Sequence, residues 1–221
     1  MHSHLLAGLD DGVKSHEEAV EIIIKFRDLG YKKLITTPHI MSDYYRNEPK
    51  QIKRTLHELN DILAAKGIGI KVEAAAEYYL DEELIKKLAT HEPLLTLGDR
   101  YLLFETNFFT EPYQLNEFVF AAITKGYQPI LAHPERYQYM SLEKAEELRD
   151  RGVRLQINIP SLMGAYGKPV MKMAEKLIDK GWIDFVGSDC HNFTHIETLA
   201  EAYRNKYFIK ALDLPLLNNS L

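Results

Sequence analysis

Residues 114–134 read QLNEFVFAAITKGYQPILAHP, and this stretch sets the pattern for the rest of the chain. Its first part, residues 114–123, has the apolar spacing of a helix, and Gly126 is typical of a residue that ends one. The apolar run 129–132 predicts a short buried strand, and His133 follows that strand directly. The stretch therefore predicts a helix and then a strand that ends in a residue with metal-ligand chemistry.

The same alternation of helix and strand runs along the whole chain. Helices are predicted over residues 17–29, 49–67, 81–88, 114–123, 168–180 and 196–203, with another between Ser141 and Gly152. Strands are predicted over residues 33–37, 68–76, 101–104, 129–132, 153–157 and 183–187, after an opening stub at 1–4. Ser15 and Ser141 are predicted N-caps of the helices that follow them. The tail around Pro215 is expected to be irregular.

Seven short apolar strands that alternate with helices are typical of an α/β protein with a parallel sheet and right-handed crossovers. This number of strands favours a closed or nearly closed β/α barrel over an open doubly wound sheet. The chain has 221 residues, of which 46% are hydrophobic, and it has no linker rich in Pro, Gly or Ser. We therefore expect one domain over residues 1–221.

Composition and charge argue against several classes of protein. The net charge is −5 and no run of Lys or Arg lies on a predicted face, so nucleic acid is not supported as a partner. No apolar run approaches the ~20 residues of a membrane span, so membrane insertion is not expected. Cys190 is the single cysteine, which excludes an internal disulfide. With no signal-like segment, the expected location is cytoplasmic.

Nearly every predicted strand ends in a histidine or a carboxylate. In β/α barrels the strand ends that carry function open onto one face, so these side chains are expected to meet there. Burying that many acids without cations would cost several kcal/mol each, and mixed imidazole and carboxylate ligands suit zinc, iron or manganese. The set is too large for one ion and fits two or three. The candidate metal ligands, with Asp11 from the first loop, are His2, His4, Asp11, His39, Glu77, Glu105, His133, Asp189 and His191.

Each of these residues also has an ordinary explanation. A single histidine or glutamate at a strand end is usually a hydrogen-bonded surface or core residue, and only the recurrence at six strand ends favours metal binding. Glu73 competes with Glu77 because both face one side of the same predicted strand, and Glu77 is favoured because it lies nearer the rim. The other histidines are interpreted as solvated, and they are His16, His57, His91 and His195.

Several motifs together resemble the polymerase and histidinol phosphatase (PHP) superfamily. They are His2-Ser3-His4, Asp10-Asp11-Gly12, Thr37-Pro38-His39, Ala76-Glu77-Tyr78, Phe104-Glu105, His133-Pro134-Glu135-Arg136-Tyr137 and Ser188-Asp189-Cys190-His191-Asn192. The Asp-Asp-Gly and His-Pro-Glu-Arg-Tyr segments are most similar to bacterial metal-dependent tyrosine phosphatases encoded with capsule and exopolysaccharide genes. The resemblance extends from His2 to about Tyr203. It implies a distorted (β/α)7 barrel and hydrolysis of phosphotyrosine on a cognate bacterial tyrosine kinase.

The resemblance also assigns roles to single residues. It implies a manganese-preferring centre of two or three ions, with Fe, Zn or Co as alternatives. One ion would be held by His2, His4, Glu77 and Asp189, a second by Glu105, His133 and a bridging Glu77, and a third by Asp11, His39 and His191. Arg136 matches the family's phosphate-binding arginine, which makes it the candidate catalytic and substrate-binding residue. Its alternative is a surface salt bridge with Glu135.

The chemistry that these residues suggest is water-based hydrolysis. A metal pair lowers the pKa of a bound water from ~15.7 toward ~7, and a guanidinium clamps phosphoryl oxygens. Phenolate, with a pKa of ~10, leaves without a dedicated general acid. A thiolate mechanism is excluded, because it needs an arginine six positions after the cysteine and that position holds Ile196.

Two departures from the family pattern bear on these expectations. Relatives usually carry Ile-Asp-x before the first histidine, so we expect the natural protein to extend upstream of Met1. Many relatives also place a phosphate-binding arginine after the position of Asn192, where this chain reads Phe193-Thr194-His195. Either His195 or a tyrosine, Tyr44 or Tyr45, substitutes for it, or substrate affinity is weaker.

Two other functions are compatible with the same residues. One is a PHP phosphatase or phosphodiesterase that acts on a small phosphate ester or a nucleotide. The other is a catalytically silent, metal-stabilised interaction module, against which intact ligands and Arg136 argue.

Overall fold

Short parallel strands alternate with helices in residues 1–90 and 92–221, which are the residues that the computed structural model describes. The strands are β1 (Lys33–Thr36), β2 (His39–Ile40), β3 (Lys71–Ala74), β4 (Glu77–Tyr79), β5 (Tyr101–Glu105), β6 (Gln128–Ala132), β7 (Arg154–Asn158) and β8 (Phe185–Gly187). The helices are α1 (His16–Asp28), α2 (Pro49–Ala65), α3 (Glu82–Thr90), α4 (Leu115–Thr124), α5 (Leu142–Asp150), α6 (Ile159–Leu162), α7 (Lys168–Asp179), α8 (Phe193–Ala202) and α9 (Lys206–Leu212). The predicted exposure of His91 lies outside the described residues.

The strands form two parallel arrays, which confirms the expected mixed α/β fold with parallel strands. Six of them pair in the order β2-β4-β5-β6-β7-β8, while β1 pairs with β3. The register sets His39 beside Glu77 and Tyr79 beside Glu105. Neighbouring strands therefore end at one edge with their polar residues side by side.

Two strands continue as second short strands beyond the ends that the sequence predicts, β1 as β2 and β3 as β4. The first is interrupted at Pro38, which has no N–H to donate to a neighbouring strand. The second is interrupted at residues 75–76, for which the sequence gives no such signal. Hydrogen bonds carry the pairing across both breaks, since Ala75 N donates to Thr36 O at 2.9 Å and Glu77 N donates to Pro38 O at 3.2 Å.

The opening stub is not a regular strand, so the prediction for residues 1–4 is wrong. Ser3 makes a single parallel bridge with Cys190, and its carbonyl accepts a 2.7 Å hydrogen bond from Thr37 N. His2 has φ 61°, in the left-handed region, so alternation along a strand does not aim the two histidines. The ring centroids of His2 and His4 nevertheless lie 5.5 Å apart.

Local signals predicted the N-caps of α1 and α5 correctly, whereas α8 begins at Phe193, three residues before the predicted start. Ser15 Oγ accepts from Glu18 N at 3.2 Å, and Ser141 Oγ accepts from Lys144 N at 3.1 Å, which confirms both N-caps. The sequence-based prediction missed α9, which is capped by the side chain of Asn205, whereas residues 213–216 around Pro215 belong to no helix or strand, as expected. Phe208, buried on α9, stabilises that helix against the rest of the chain.

The strands are buried on both sides, as expected of a covered parallel sheet. On β5, Leu102 and Phe104 belong to the large apolar cluster that includes the helices. Leu103 points the other way, into a smaller cluster with Ile35 and Phe185. Residues from β1, β5 and β8 therefore meet in this smaller cluster. No helix among the described residues combines the length and apolar character that crossing a bilayer requires.

Candidate metal centre

The predicted metal ligands converge at the edge where the strands end. Four groups of side chains bring their ligand atoms within 4.8 Å of one another, namely His4 with Asp11, His39 and His191; His2 with His133 and Asp189; His2 with His4 and Glu77; and His39 with Glu77 and Glu105. Together these groups contain all nine of the candidate ligands. Most of the nine are buried; Asp11 is exposed and lies at the outer edge.

Glu77 occupies the centre of the cluster. Its Oε2 lies 3.1 Å from His2 Nε2, 3.4 Å from His4 Nε2 and 3.3 Å from His39 Nδ1. Its Oε1 lies 3.1 Å from His133 Nε2. Burial alone would raise the pKa of this carboxyl, but the surrounding imidazoles hold the pKa well below its usual range. Glu77 is therefore a fully buried carboxylate that faces four rings.

Glu73, the alternative to Glu77, lies outside the cluster. Its carboxylate pairs with Lys33 Nζ at 2.7 Å and with Lys71. These two lysines lower the pKa of Glu73 although its partial burial opposes this. Glu73 is thus a partly exposed ion-pair residue on β3, two positions before the break that separates β3 from β4.

Asp189 forms a second buried anion beside Glu77. Its Oδ1 lies 3.4 Å from both His2 Nε2 and His4 Nε2, and 3.5 Å from His191 Nδ1. Burial would raise the pKa of Asp189, yet the nearby imidazoles hold that pKa well below its usual range. The other oxygen, Oδ2, faces away from the histidines and accepts hydrogen bonds from Asn158 and Arg136.

The remaining ligands form an outer group toward solvent. Asp11 Oδ1 lies 3.4 Å from His191 Nε2 and 3.6 Å from His39 Nε2, and the first of these contacts lowers the pKa of Asp11 most. His39 Nδ1 lies 3.1 Å from Glu105 Oε1. Burial opposes the charged form of His39, but Glu77 and Glu105 outweigh it and raise its pKa to about 9.

The observed groups of side chains match the implied ion sites only in part. Asp11, His39 and His191 lie together, joined by His4, and His2, His4 and Glu77 also form one group. Glu105 shares its group with His39, whereas His133 Nε2 is 3.9 Å from Glu105 Oε2 and closer to Glu77. The side chains thus surround a continuous space rather than separate cages.

Residues with positive φ, other than glycine, coincide with candidate metal ligands. Among residues 1–90 and 92–221, the residues other than glycine with positive φ are His2 at 61°, His133 at 36° and Asp189 at 46°. Such conformations cost on the order of 1–3 kcal/mol each, and they persist where the surrounding structure enforces them. All three are candidate ligands, so the fold uses strained backbone to aim them.

Asp10, to which the sequence assigns no role, holds two of the ligands. Its Oδ2 lies 2.7 Å from His4 Nδ1 and accepts from His39 N at 2.9 Å. The same carboxylate accepts from Gly12 N through Oδ1 at 2.9 Å. Burial would raise the pKa of Asp10, but His4 lowers it below the usual range. Asp10 therefore binds the far side of the His4 ring and leaves Nε2 facing Glu77.

Arg136 lies at the edge of a cavity of about 540 Å³ that opens onto the cluster. Its guanidinium carbon lies 4.7 Å from the ring centre of Phe108 and 4.3 Å from that of Tyr166. Its NH1 donates to Asp189 Oδ2 at 3.2 Å, and Asp189 outweighs burial to raise the pKa of Arg136. The alternative pairing with Glu135 does not form, since Glu135 instead accepts from Asn158 N and Ser161 Oγ.

The other candidate substrate-binding residues also line this cavity. Tyr44 is 79% exposed at the rim, and the ring of Tyr45 stacks on His39 with 5.5 Å between centres. His195 Nδ1 lies 2.9 Å from the carbonyl oxygen of Asp189, so this ring is partly fixed rather than freely solvated. Of these three, Tyr44 is the most accessible to a ligand entering from solvent.

The donor set fits divalent cations. His4 Nε2 and His39 Nδ1 are buried without a hydrogen-bond partner, although both face carboxylate oxygens. An unsatisfied buried polar atom costs about 1–3 kcal/mol, and a cation shared between imidazole and carboxylate removes that cost. Ring nitrogens with carboxylates around them form the ligand set of Mn, Fe and Zn sites.

A family model described as capsular polysaccharide synthesis, CpsB/CapC, matches residues 1–207. This chain belongs to the CpsB/CapC family. CapC of Staphylococcus aureus is 30% identical over 213 residues, which cover 96% of this chain and 84% of CapC. The tyrosine-protein phosphatase YwqE of Bacillus subtilis is 31% identical over 195 residues, which cover 87% of this chain and 76% of YwqE.

A solved structure of the CpsB/CapC family has the same fold. The crystal structures of YwqE from Bacillus subtilis and CpsB from Streptococcus pneumoniae, described as metal-dependent tyrosine phosphatases, include a chain that matches with a TM-score of 0.85. That chain is 28% identical, and the match covers 97% of this chain and 88% of the other. The arrangement of parallel strands and helices is thus common to both proteins.

In this CpsB/CapC member, the sequence-based prediction missed the polar residues of β7. Gln156 and Asn158 are both completely buried and contact candidate ligands. A signal was available, because Gln156 stands between Leu155 and Ile157 in an otherwise apolar strand. A polar side chain in such a position needs a hydrogen-bond partner inside the protein.

We expect Gly187→Ala to destabilise the metal-free protein by about 1–3 kcal/mol through overpacking. A Cβ at this position would lie 2.5 Å from Gln156 Nε2 and 3.0 Å from the Cβ of His2. Chemical unfolding measures the change. Gly69→Ala is the matched control, because a Cβ there meets no atom within 4 Å. Equal stability of the two variants would contradict the close packing of Gln156.

Proposed function

We propose that this protein is a metal-dependent protein-tyrosine phosphatase that acts on a bacterial tyrosine kinase of capsule or exopolysaccharide synthesis. The observation that carries the proposal is the convergence of nine imidazole and carboxylate side chains with Arg136 at one cavity. The relatives support it, since YwqE and CpsB are named tyrosine-protein phosphatases. Residues 1–221 would form a single phosphatase domain.

The proposed cofactor is a group of two or three divalent ions, Mn²⁺ in preference to Fe, Zn or Co. The residues that would hold the ions are His2, His4, Asp11, His39, Glu77, Glu105, His133, Asp189 and His191. When bound, such ions supply an activated water for attack on phosphorus and neutralise phosphoryl charge. The carboxylates of Glu77 and Asp189, each facing several rings, set the negative field that attracts the cations.

Arg136 would bind the phosphoryl group. Its guanidinium has five N–H donors, and the contact with Asp189 uses one nitrogen. The rings of Phe108 and Tyr166 both contact the guanidinium and restrict its orientation. Binding of an anion therefore costs little additional conformational entropy of the arginine side chain. This arrangement suits two parallel hydrogen bonds to phosphoryl oxygens.

The cavity would accept a phosphotyrosine side chain. Its volume of about 540 Å³ is typical of small-molecule sites, and aromatic residues Tyr45, Phe108 and Phe109 line it beside the cluster. Tyr44 at the rim and His195 near His191 are the proposed additional substrate contacts. A phenolate leaving group needs no general acid from the chain.

The proposed architecture is a distorted (β/α)7 barrel. If β1 and β2 are counted as one barrel strand, and β3 and β4 as another, these two and β5 to β8 make six of the seven strands. The seventh would be the segment around Ser3, which contacts both Cys190 after β8 and Thr37 after β1. The smaller cluster of Ile35, Leu103 and Phe185 supports closure of the strands into a barrel, because it brings together residues from strands that do not pair with one another.

We expect removal of metal with EDTA to abolish hydrolysis and Mn²⁺ to restore it. Metal should also raise the unfolding temperature, because a ligand present at 100 times its Kd stabilises the folded state by about 2.7 kcal/mol. Steady-state assays should compare a phosphotyrosine peptide with histidinol phosphate and short oligonucleotides. Preference for either of the latter would reject the proposed substrate, and full activity in EDTA would reject the metal centre.

A further inference from the structure

We propose that Gln156 and Asn158 are positioning residues that connect the candidate ligands His2 and Asp189 through one directional chain of hydrogen bonds. The inference rests on the proposed metal centre. It gives β7, which carries none of the candidate ligands, a part in the site.

The chain consists of three short contacts between buried groups. His2 Nδ1 lies 2.6 Å from Gln156 Oε1. Gln156 Nε2 donates to Asn158 Oδ1 at 2.8 Å, and Asn158 Nδ2 donates to Asp189 Oδ2 at 2.6 Å. Both amides point to the same side of β7 because they are two residues apart on a strand. The side chains of Gln156 and Asn158 are completely buried, so these contacts rather than water satisfy the amides.

The direction of the chain follows from Asp189. An ionised carboxylate only accepts hydrogen bonds, so Asn158 must turn its NH₂ toward Asp189 and its oxygen toward Gln156. Gln156 must then donate to that oxygen, which leaves Gln156 Oε1 facing His2. An oxygen there requires a hydrogen on His2 Nδ1. The lone pair of the neutral ring is consequently on Nε2, the atom that faces Glu77 and Asp189.

The same contacts orient Asp189 at the other end. Asn158 and Arg136 both bond to Oδ2, so Oδ1 is the oxygen left to face His2 and His4. The Asn158 backbone is itself held, since Asn158 N donates to the buried carboxylate of Glu135 at 2.8 Å. Gly187, opposite Asn158 in the register, leaves the room that Gln156 occupies.

The test measures Mn²⁺ affinity of the full chain by electron paramagnetic resonance titration, alongside chemical unfolding of the metal-free protein. Loss of an outer partner of a ligand weakens metal binding about 10- to 100-fold, which is the expected result for Gln156→Leu. Gln156→Glu keeps an oxygen opposite His2 Nδ1 but loses the donor to Asn158 Oδ1, so it should recover only part of the affinity that Gln156→Leu loses. Asn158→Asp keeps the side-chain size but sets two carboxylates together, and should also bind at least about 10-fold more weakly.

Asn205→Asp is the matched control, because it loses a donated hydrogen bond to Leu162 O and neither residue lines the cavity. Its Mn²⁺ affinity should equal that of the wild type whatever its stability. Wild-type affinity in both Gln156→Leu and Asn158→Asp, or equally weak binding by Gln156→Glu and Gln156→Leu, would overturn the inference alone. Failure of the wild-type protein to bind Mn²⁺ would overturn the proposed function and this inference with it.

Discussion

Glu77→Gln is expected to lower turnover on the order of 10³-fold or more and to weaken Mn²⁺ binding severely. The loss should exceed the about 10- to 100-fold that follows from removing an outer partner, because Glu77 is itself a proposed ligand of the ions. The change preserves shape but removes the negative charge shared by His2, His39 and His133. The new NH₂ group would also point a donor at ring nitrogens that must offer lone pairs.

Glu73→Gln is the matched control for this variant. Glu73 is a glutamate on the same predicted strand, but it pairs with Lys33 at the surface of the sheet. Its replacement should leave turnover and Mn²⁺ affinity unchanged and cost at most about 1 kcal/mol of stability. Isothermal titration with Mn²⁺ and steady-state hydrolysis of a phosphotyrosine peptide measure both variants. Mn²⁺ affinity of Glu77→Gln equal to that of Glu73→Gln would remove Glu77 from the ligand set.

The sequence predicts the positions of the candidate ligands better than their orientations. His133 and Glu105 could be found because each follows an apolar run, and strand ends in parallel sheets meet at one edge. His2 was also found, but the reason was wrong, since a left-handed backbone rather than strand alternation aims it. The conformation of a residue such as His2 depends on contacts with β8, which lies almost the whole chain away.

The adjacent residues Asp10 and Asp11 also show that the sequence does not predict the orientation of a side chain. Asp10 and Asp11 are adjacent and chemically equal in the sequence. In the fold Asp10 is buried against His4, whereas Asp11 reaches outward to His39 and His191. No local pattern distinguishes them, because the difference arises from which side of the loop faces the cluster.

The broken strands and the helix N-caps show which features of the fold have a local sequence signal and which depend on distant parts of the chain. The break between β1 and β2 can be predicted from Pro38, because proline has no N–H to donate to a neighbouring strand. The break at residues 75–76 follows from pairing with that first strand, so it has no signal of its own. The N-caps at Ser15 and Ser141 were predicted correctly because a cap is made within four residues of chain.

Arg136→Ala is expected to retain Mn²⁺ affinity and to lose about 10²- to 10³-fold in kcat/KM, the usual cost of removing one donor that stabilises transition-state charge. Metal binding should survive because Asn158 still holds Asp189 Oδ2 at 2.6 Å when the guanidinium is gone. Arg136→Lys should recover only part of the activity, since an ammonium keeps the charge but cannot form the planar pair of hydrogen bonds.

Arg154→Ala is the matched control for Arg136→Ala, because Arg154 also pairs with an aspartate, Asp184, but lies outside the cavity. Its kcat/KM should equal that of the wild type. Inorganic phosphate, tested as a competitive inhibitor of the manganese-loaded enzyme, should bind more weakly to Arg136→Ala and normally to Arg154→Ala. Equal loss of metal from Arg136→Ala and Glu77→Gln would contradict a phosphate-binding role, since it would make Arg136 a support of the metal centre instead.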